Sequence, residues 1–220
     1  EYNHVFVAPY ANGKSLKGKD IMPNEPYDAP TKPFGGDEDF IWHPDGKHIV
    51  YVAKKKYGTD YAISTNTDLY QYNIETGVTN NLTEANKGYD LSPQFNQNGV
   101  LAWMQMKRDG FEADKQDLIV MVKGQLPLNL TAHRDDIHVE GFKWSEDGRS
   151  IYFWAPINGT LQLFQVNNPG LTKMLPVIKQ LTSGDFDITG IVSQLGNRLV
   201  VSRTDMNTAT ELYTLNLQNN

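Results

Sequence analysis

Between Lys107 and Gln116 the chain reads KRDGFEADKQ, which gathers Arg108, Asp109, Glu112 and Asp114 around Phe111. Carboxylates beside an aromatic ring suit a cationic amine, because the acid supplies counter-charge and acceptors while the ring face attracts the cation. A second stretch, AKKKYGTDYAISTNT from Ala53 to Thr67, adds Tyr57, Asp60 and Tyr61. Glu112, Arg108, Phe111 and Asp114 are therefore the candidate substrate-binding residues. A competing reading is structural: Arg108 and the acids pair among themselves and brace a long loop.

Chemistry beyond binding is hard to find. There is no Gly-x-Ser-x-Gly elbow, no Walker loop, no His-Glu-x-x-His and no calcium loop, and the serines fall in turns and at strand ends. The chain has 0 cysteines, which removes disulfides and thiol chemistry. His43 and His48 flank one turn, and His133 and His138 flank Arg134, Asp135 and Asp136. Such spacing could ligate a divalent ion, but local hydrogen bonding is the favoured reading. No catalytic residue, metal or cofactor is assigned. A net charge of -6 without a basic cluster argues against nucleic acid. No apolar stretch approaches the roughly 20 residues that cross a bilayer.

The elements that must position these residues repeat. FIWHPDGKHIVY, FNQNGVLAW, FKWSEDGRSIYF and IVSQLGNRLVVS each place a turn glycine (Gly46, Gly99, Gly148 and Gly196) between two apolar runs, and the copies recur about every 50 residues. A third alternating run follows each copy: DLYQYNI, DLIVMVK, TLQLFQV and ELYTLNL. Period-2 alternation predicts strands with one face buried. A Gly- or Pro-bearing turn then leads to a short run ending in Leu-Thr at Leu82-Thr83, Leu130-Thr131 and Leu181-Thr182. Of the three Asn-x-Thr triplets, at Asn81, Asn129 and Asn158, the first two are the Asn-Leu-Thr that closes the fourth strand.

Four antiparallel strands, here a to d, in each unit predict an all-β fold, a β-propeller of four-stranded blades. A β-sandwich would also give short strands but has no reason to repeat a whole cassette. The register expects one partial propeller over residues 1–220, with blades at about 1–22 (partial), 39–83, 93–131, 140–182 and 188–217 (partial). Pro23 to Pro33, ending in Phe34-Gly35-Gly36, reads as an ordered irregular loop. No long segment carries helical periodicity. The expected meander sends both long b to c loops, Ala53 to Thr67 and Lys107 to Gln116, to one face, where binding residues concentrate.

In that order, the phrases FIWHPDGKHIVYVAKKKYGTDYAISTNTDLYQYNIETGVTNNLTE, GYDLSPQF and MKRDGFEADKQDLIVM resemble the propeller domain of bacterial dipeptidyl peptidases in the prolyl oligopeptidase family, from about Phe34 to Val166. The WHPDG, DLYQYN and NLT elements also occur in TolB-like propellers; YAISTNTDLY and RDGFEADK are the specific part. The resemblance implies a propeller that gates a C-terminal α/β-hydrolase domain bearing a Ser, Asp, His triad, in an exported, periplasmic or cell-surface bacterial protein. That domain is absent from this chain. It also implies a peptide substrate, an anchor for the peptide's free amine at the Glu112 loop, and room for a homodimer of the parent. The alternative is a stand-alone TolB-like propeller acting as a protein-binding module. A propeller lyase or glycosidase using His and a metal is the weakest reading.

Overall fold

The computed structural model describes residues 2–167, 169 and 176–218. The turn expected between the third and fourth strands of the 140–182 blade lies mostly outside them. The chain forms two compact units, Glu1–Pro93 with Gln105–Asp114, and Gln94–Met104 with Lys115–Asn220.

In the first unit β1 (Phe6–Val7) pairs antiparallel with β4 (Lys19–Asp20), with a hairpin of β2 (Tyr10–Ala11) and β3 (Lys14–Ser15) between them. Where a partial blade was expected, the chain forms two short paired strands with a hairpin inserted between them. The first full blade follows as β5 (Phe40–Trp42), β6 (His48–Ala53), β7 (Asp68–Asn73) and β8 (Thr79–Asn81), hydrogen-bonded in that order. Ile49, Tyr51 and Ala53 of β6 and Tyr70 and Tyr72 of β7 pack with Val5, Ile21, Met22 and Tyr27 into one apolar cluster. Val50 and Val52, which point the other way, are equally buried. Alternation predicted one buried face. The central strands bury both, as strands covered on each side by packed side chains must.

The second full blade, β9 (Asp90–Phe95), β10 (Leu101–Gln105), β11 (Asp117–Met121) and β12 (Leu128–Asn129), is again a four-stranded meander. Its first strand begins at Asp90, a little before the expected start. In the second unit β13 (Gly141–Trp144), β14 (Ser150–Ile157), β15 (Thr160–Asn167) and β16 (Ile178–Gln180) form the third full blade. Its core contains Phe142, Ile151, Phe153, Phe164 and Val166, with Phe153 and Phe164 stacked at 5.3 Å between centroids. The last sheet, β17 (Asp187–Leu195), β18 (Arg198–Asp205) and β19 (Thr208–Asn216), has three strands. The fold is a partial β-propeller, three whole blades and two partial ones.

Turn chemistry sets the register. All four turn glycines have positive φ, from 54° at Gly196 to 77° at Gly99, the left-handed region that a Cβ disfavours. The polar residue ahead of each of the first three captures the backbone beyond it: Asp45 Oδ1 accepts the Lys47 N–H at 2.8 Å, Asn96 Oδ1 the Asn98 N–H at 2.9 Å, and Asp147 Oδ1 the Arg149 N–H at 3.0 Å. The Leu-Thr ending has an equally local cause. Thr83, Thr131 and Thr182 each turn Oγ1 back onto strand c and accept the N–H of Leu69, Leu118 and Leu163 at 3.0, 3.1 and 2.8 Å.

Two short helical pieces were not expected. A 3-10 turn covers Asp37–Asp39, and α1 covers Gly58–Ile63 inside the first long loop. Neither spans two turns of an α-helix or has a side-chain cap, so no periodic apolar stripe could announce it.

Candidate functional site

The two long loops come together within the first unit. Ser64 Oγ donates to Asp109 Oδ1 at 2.6 Å, and the Thr65 N–H reaches the same oxygen at 2.8 Å. Thr65 Oγ1 donates to the Arg108 carbonyl at 3.3 Å and accepts the Gly110 N–H at 3.0 Å. The hydrogen bond from Ser64, helped by the Thr65 and Asn66 amides, holds the Asp109 carboxyl below its ordinary pKa despite some burial.

The four candidate residues divide into two groups. Arg108 and Asp114 pair with each other: Nε donates to Oδ1 at 3.0 Å and the Nη2 to Oδ1 distance is 2.9 Å. Asp114 Oδ2 accepts the backbone N–H of both Lys107 and Arg108, at 3.0 and 2.8 Å. The guanidinium lies 4.0 Å from the Phe111 ring centroid. Asp114 is buried and its acceptors are spent inside the loop. These three residues form a brace, the structural alternative set out above.

Glu112 faces elsewhere. It lines a pocket of about 260 Å³ with Pro33, Phe34, Leu91 and Met106 as apolar wall and Lys32, Glu38, Asp39, Lys54 and Tyr89 as ionisable groups. The Tyr89 hydroxyl donates to Glu112 Oε1 at 2.9 Å. Burial and that hydrogen bond, which favours the neutral phenol, push the Tyr89 pKa up to about 12. Lys54 sits over the Tyr61 ring, 4.6 Å from its centroid. Burial lowers its pKa, and the charges of Glu112 and Asp109 offset part of that effect.

Several elements position this pocket. Tyr89 precedes β9 directly, and its carbonyl accepts the Met106 N–H at 2.8 Å. Gly88 makes that approach feasible, since a Cβ there would come within 2.3 Å of the Met106 carbonyl oxygen. Thr67 and Asp90 are tied by two hydrogen bonds, Thr67 Oγ1 donating to the Asp90 carbonyl at 2.9 Å and accepting its N–H at 3.0 Å. Of these pocket residues the sequence singled out Glu112 and not Tyr89, Lys54, Glu38 or Asp39. Tyr89 lies in GYDLSPQF, where a polar hydroxyl ahead of a strand gives no pattern of its own.

His43 and His48 bond within their own turn, while His138 reaches a neighbouring strand end. His43 and His48 both turn Nδ1 to Asp45, at 3.1 and 2.8 Å, and His138 Nδ1 accepts the Gln116 N–H at 3.1 Å. Among the described residues no group of three or more His, Asp or Glu side chains is arranged to hold a metal ion, and no helix is long and apolar enough to cross a membrane.

No family model matches the chain. A protein of Porphyromonas gingivalis named dipeptidyl-peptidase 5 is 36% identical over 220 residues, covering 98% of this chain and 31% of its own length. Its namesake from Porphyromonas endodontalis is 38% identical over 216 residues, 98% of this chain and 30% of the relative. The chain thus spans under a third of the relatives it matches. Among solved structures, a puromycin-hydrolysing peptidase of Mycobacterium tuberculosis aligns with a TM-score of 0.64 at 16% identity, over 92% of this chain and 33% of that one. The β-propeller domain of the trilobed protease of Pyrococcus furiosus aligns with a TM-score of 0.58 at 14% identity, over 92% of this chain and 55% of that one. At such identities the structural likeness concerns the fold, while the sequence match runs the length of the chain. With the phrases YAISTNTDLY and RDGFEADK, these findings place the chain as a propeller domain of the dipeptidyl-peptidase kind in the prolyl oligopeptidase family.

Proposed function

We infer that this chain is the non-catalytic propeller portion of a serine exopeptidase that releases dipeptides, and that its Glu112 pocket anchors the free N-terminal amine of the peptide. The observation that carries the reading is Glu112 itself: a carboxylate in an apolar-walled pocket, oriented by the Tyr89 hydroxyl and left out of the brace that consumes Arg108 and Asp114. Glu112 is exposed at the pocket, so its carboxylate is open to an incoming ammonium, for which it offers counter-charge and acceptors. The neutral Tyr89 phenol contributes no competing charge.

In this reading the chemistry belongs to an α/β-hydrolase domain of the parent, an exported bacterial protein, and the propeller limits which peptides reach it. In the full-length protein, Glu112→Ala raises KM for free-amine dipeptide substrates by about tenfold to a hundredfold, the span expected for a lost hydrogen bond to a charged group. An N-acylated substrate, which offers no ammonium, is unaffected. An unchanged KM for the free-amine substrate contradicts the assignment.

A further inference from the structure

Asp39 is the one pocket-lining acid buried to 3% exposure, at the end of the 3-10 turn. Its Oδ2 accepts no hydrogen bond, an uncommon condition for a buried oxygen that asks for a cause. The loop forming one pocket wall, Thr31 to Gly35, lies directly on it: a Cβ at Gly35 would stand 2.6 Å from Oδ2 and 2.5 Å from the Thr31 carbonyl oxygen. The Gly35 N–H donates to that same Thr31 carbonyl at 2.7 Å, which closes the loop over the acid.

A carboxyl in this place is caught between two needs. Uncharged, it can donate a proton to an acceptor and suits its burial; charged, it adds a second anion beside Glu38 under a wall of the pocket. Burial first and the Glu38 charge second raise its pKa to about 6, with the Ser92 amide and the Thr31 hydroxyl acting against the rise. Of the charged and titratable groups, Glu38 on its own turn acts on it directly, and Lys32, Lys54, Tyr89 and Glu112 line the same pocket. Lys32 is committed to Asp28, at 2.8 Å. A ligand cation entering the pocket would be drawn to a charged Asp39, which lines the pocket beside the Thr31 to Gly35 loop.

We propose that Asp39 is a positioning residue of this pocket, whose ionisation beneath the Thr31 to Gly35 wall strengthens capture of a peptide ammonium held by Glu112, so that amine binding and proton binding oppose each other there. The proposal rests on the amine-anchoring reading. The linkage has a definite sign: a cation that favours ionised Asp39 binds better as pH rises through about 6, until the peptide amine itself loses its proton near pH 8.

The test measures binding of a dipeptide with a free amine, and of the same dipeptide N-acetylated, to the full-length protein by calorimetry between pH 5 and 7.5. Free-amine affinity is expected to rise about threefold to tenfold across that range, the size of a screened through-space charge, and the acetylated compound to show no rise. Asp39→Asn, which keeps the shape of the side chain, flattens the rise. Glu38→Gln, which removes a like charge, moves its midpoint to lower pH. Glu112→Gln weakens free-amine binding at every pH. If Asp39→Asn keeps the wild-type pH dependence while Glu112→Gln still weakens binding, the proposal for Asp39 is overturned and the anchor reading stands. If acetylation and Glu112→Gln both leave affinity unchanged, or the dipeptide does not bind at all, the anchor reading falls and the proposal with it.

Discussion

At the scale of single residues, the RDGFEAD segment holds acids in two settings that look alike as a string of charges, one spent on the loop and one lining a pocket. Asp114 serves the loop: a buried carboxylate that accepts two backbone N–H groups and the Arg108 side chain. Removing it as Asp114→Ala leaves those amides without an acceptor and costs about 2 to 4 kcal/mol, read as a lower Tm. Arg108→Ala costs less than about 1 kcal/mol, because its side chain is 62% exposed and the pair is screened on that side. Equal losses in the two variants would mean that the ion pair, and not the amide bonds, holds the loop. The sequence named these residues together because it records charge and spacing. Which acid turns inward depends on where the backbone amides of Lys107 and Arg108 point, and no residue pattern encodes that.

At the scale of the element, the repeated Leu-Thr is a clasp between strands d and c. Thr131 is fully buried; its hydroxyl donates to Asp117 Oδ1 at 2.6 Å and accepts the Leu118 N–H. Thr131→Val keeps the shape but leaves that N–H and carboxylate short of a partner. A loss of about 1 to 3 kcal/mol in unfolding free energy follows, measurable by denaturant titration. A neutral result would return the motif to simple β-propensity. The opening segment carries a different clasp. His4 Nδ1 meets Asp20 Oδ2 at 2.8 Å and Nε2 meets the Glu25 carbonyl at 2.9 Å. Burial works against the imidazolium, yet these partners outweigh it and raise the His4 pKa above 6.5. A raised folded-state pKa gives stability that is fully present below the unfolded value and lost as pH rises through the folded one. Thermal stability should fall as pH rises above about 6.5 in the wild type, with that part of the slope gone in His4→Gln.

At the scale of the whole molecule, the repeat made the architecture legible and the site only half so. Turn glycines, Asx captures and threonine clasps are local rules, each acting within a few residues or between adjacent strands, so four imperfect copies announce them again and again. The pocket is assembled from residues far apart in sequence, Asp39, Lys54, Tyr89 and Glu112, that meet only after the blades form. Glu112 was visible since its loop is long and breaks the repeat; Asp39 sat in a glycine-rich connection that reads as filler. The chain matches under a third of its relatives' length, and on the amine-anchoring reading the rest of such a protein holds the chemistry.

The central claim is that this part supplies a carboxylate for a peptide's free amine. It is tested most directly by the ratio of kcat/KM for a free-amine dipeptide substrate over its N-acetylated counterpart, measured in the full-length protein and in its Glu112→Gln variant. The account predicts a ratio far above one in the wild type and a fall of at least about tenfold in the variant, while the acetylated substrate is processed at an unchanged rate. An equal ratio in the two proteins would contradict it.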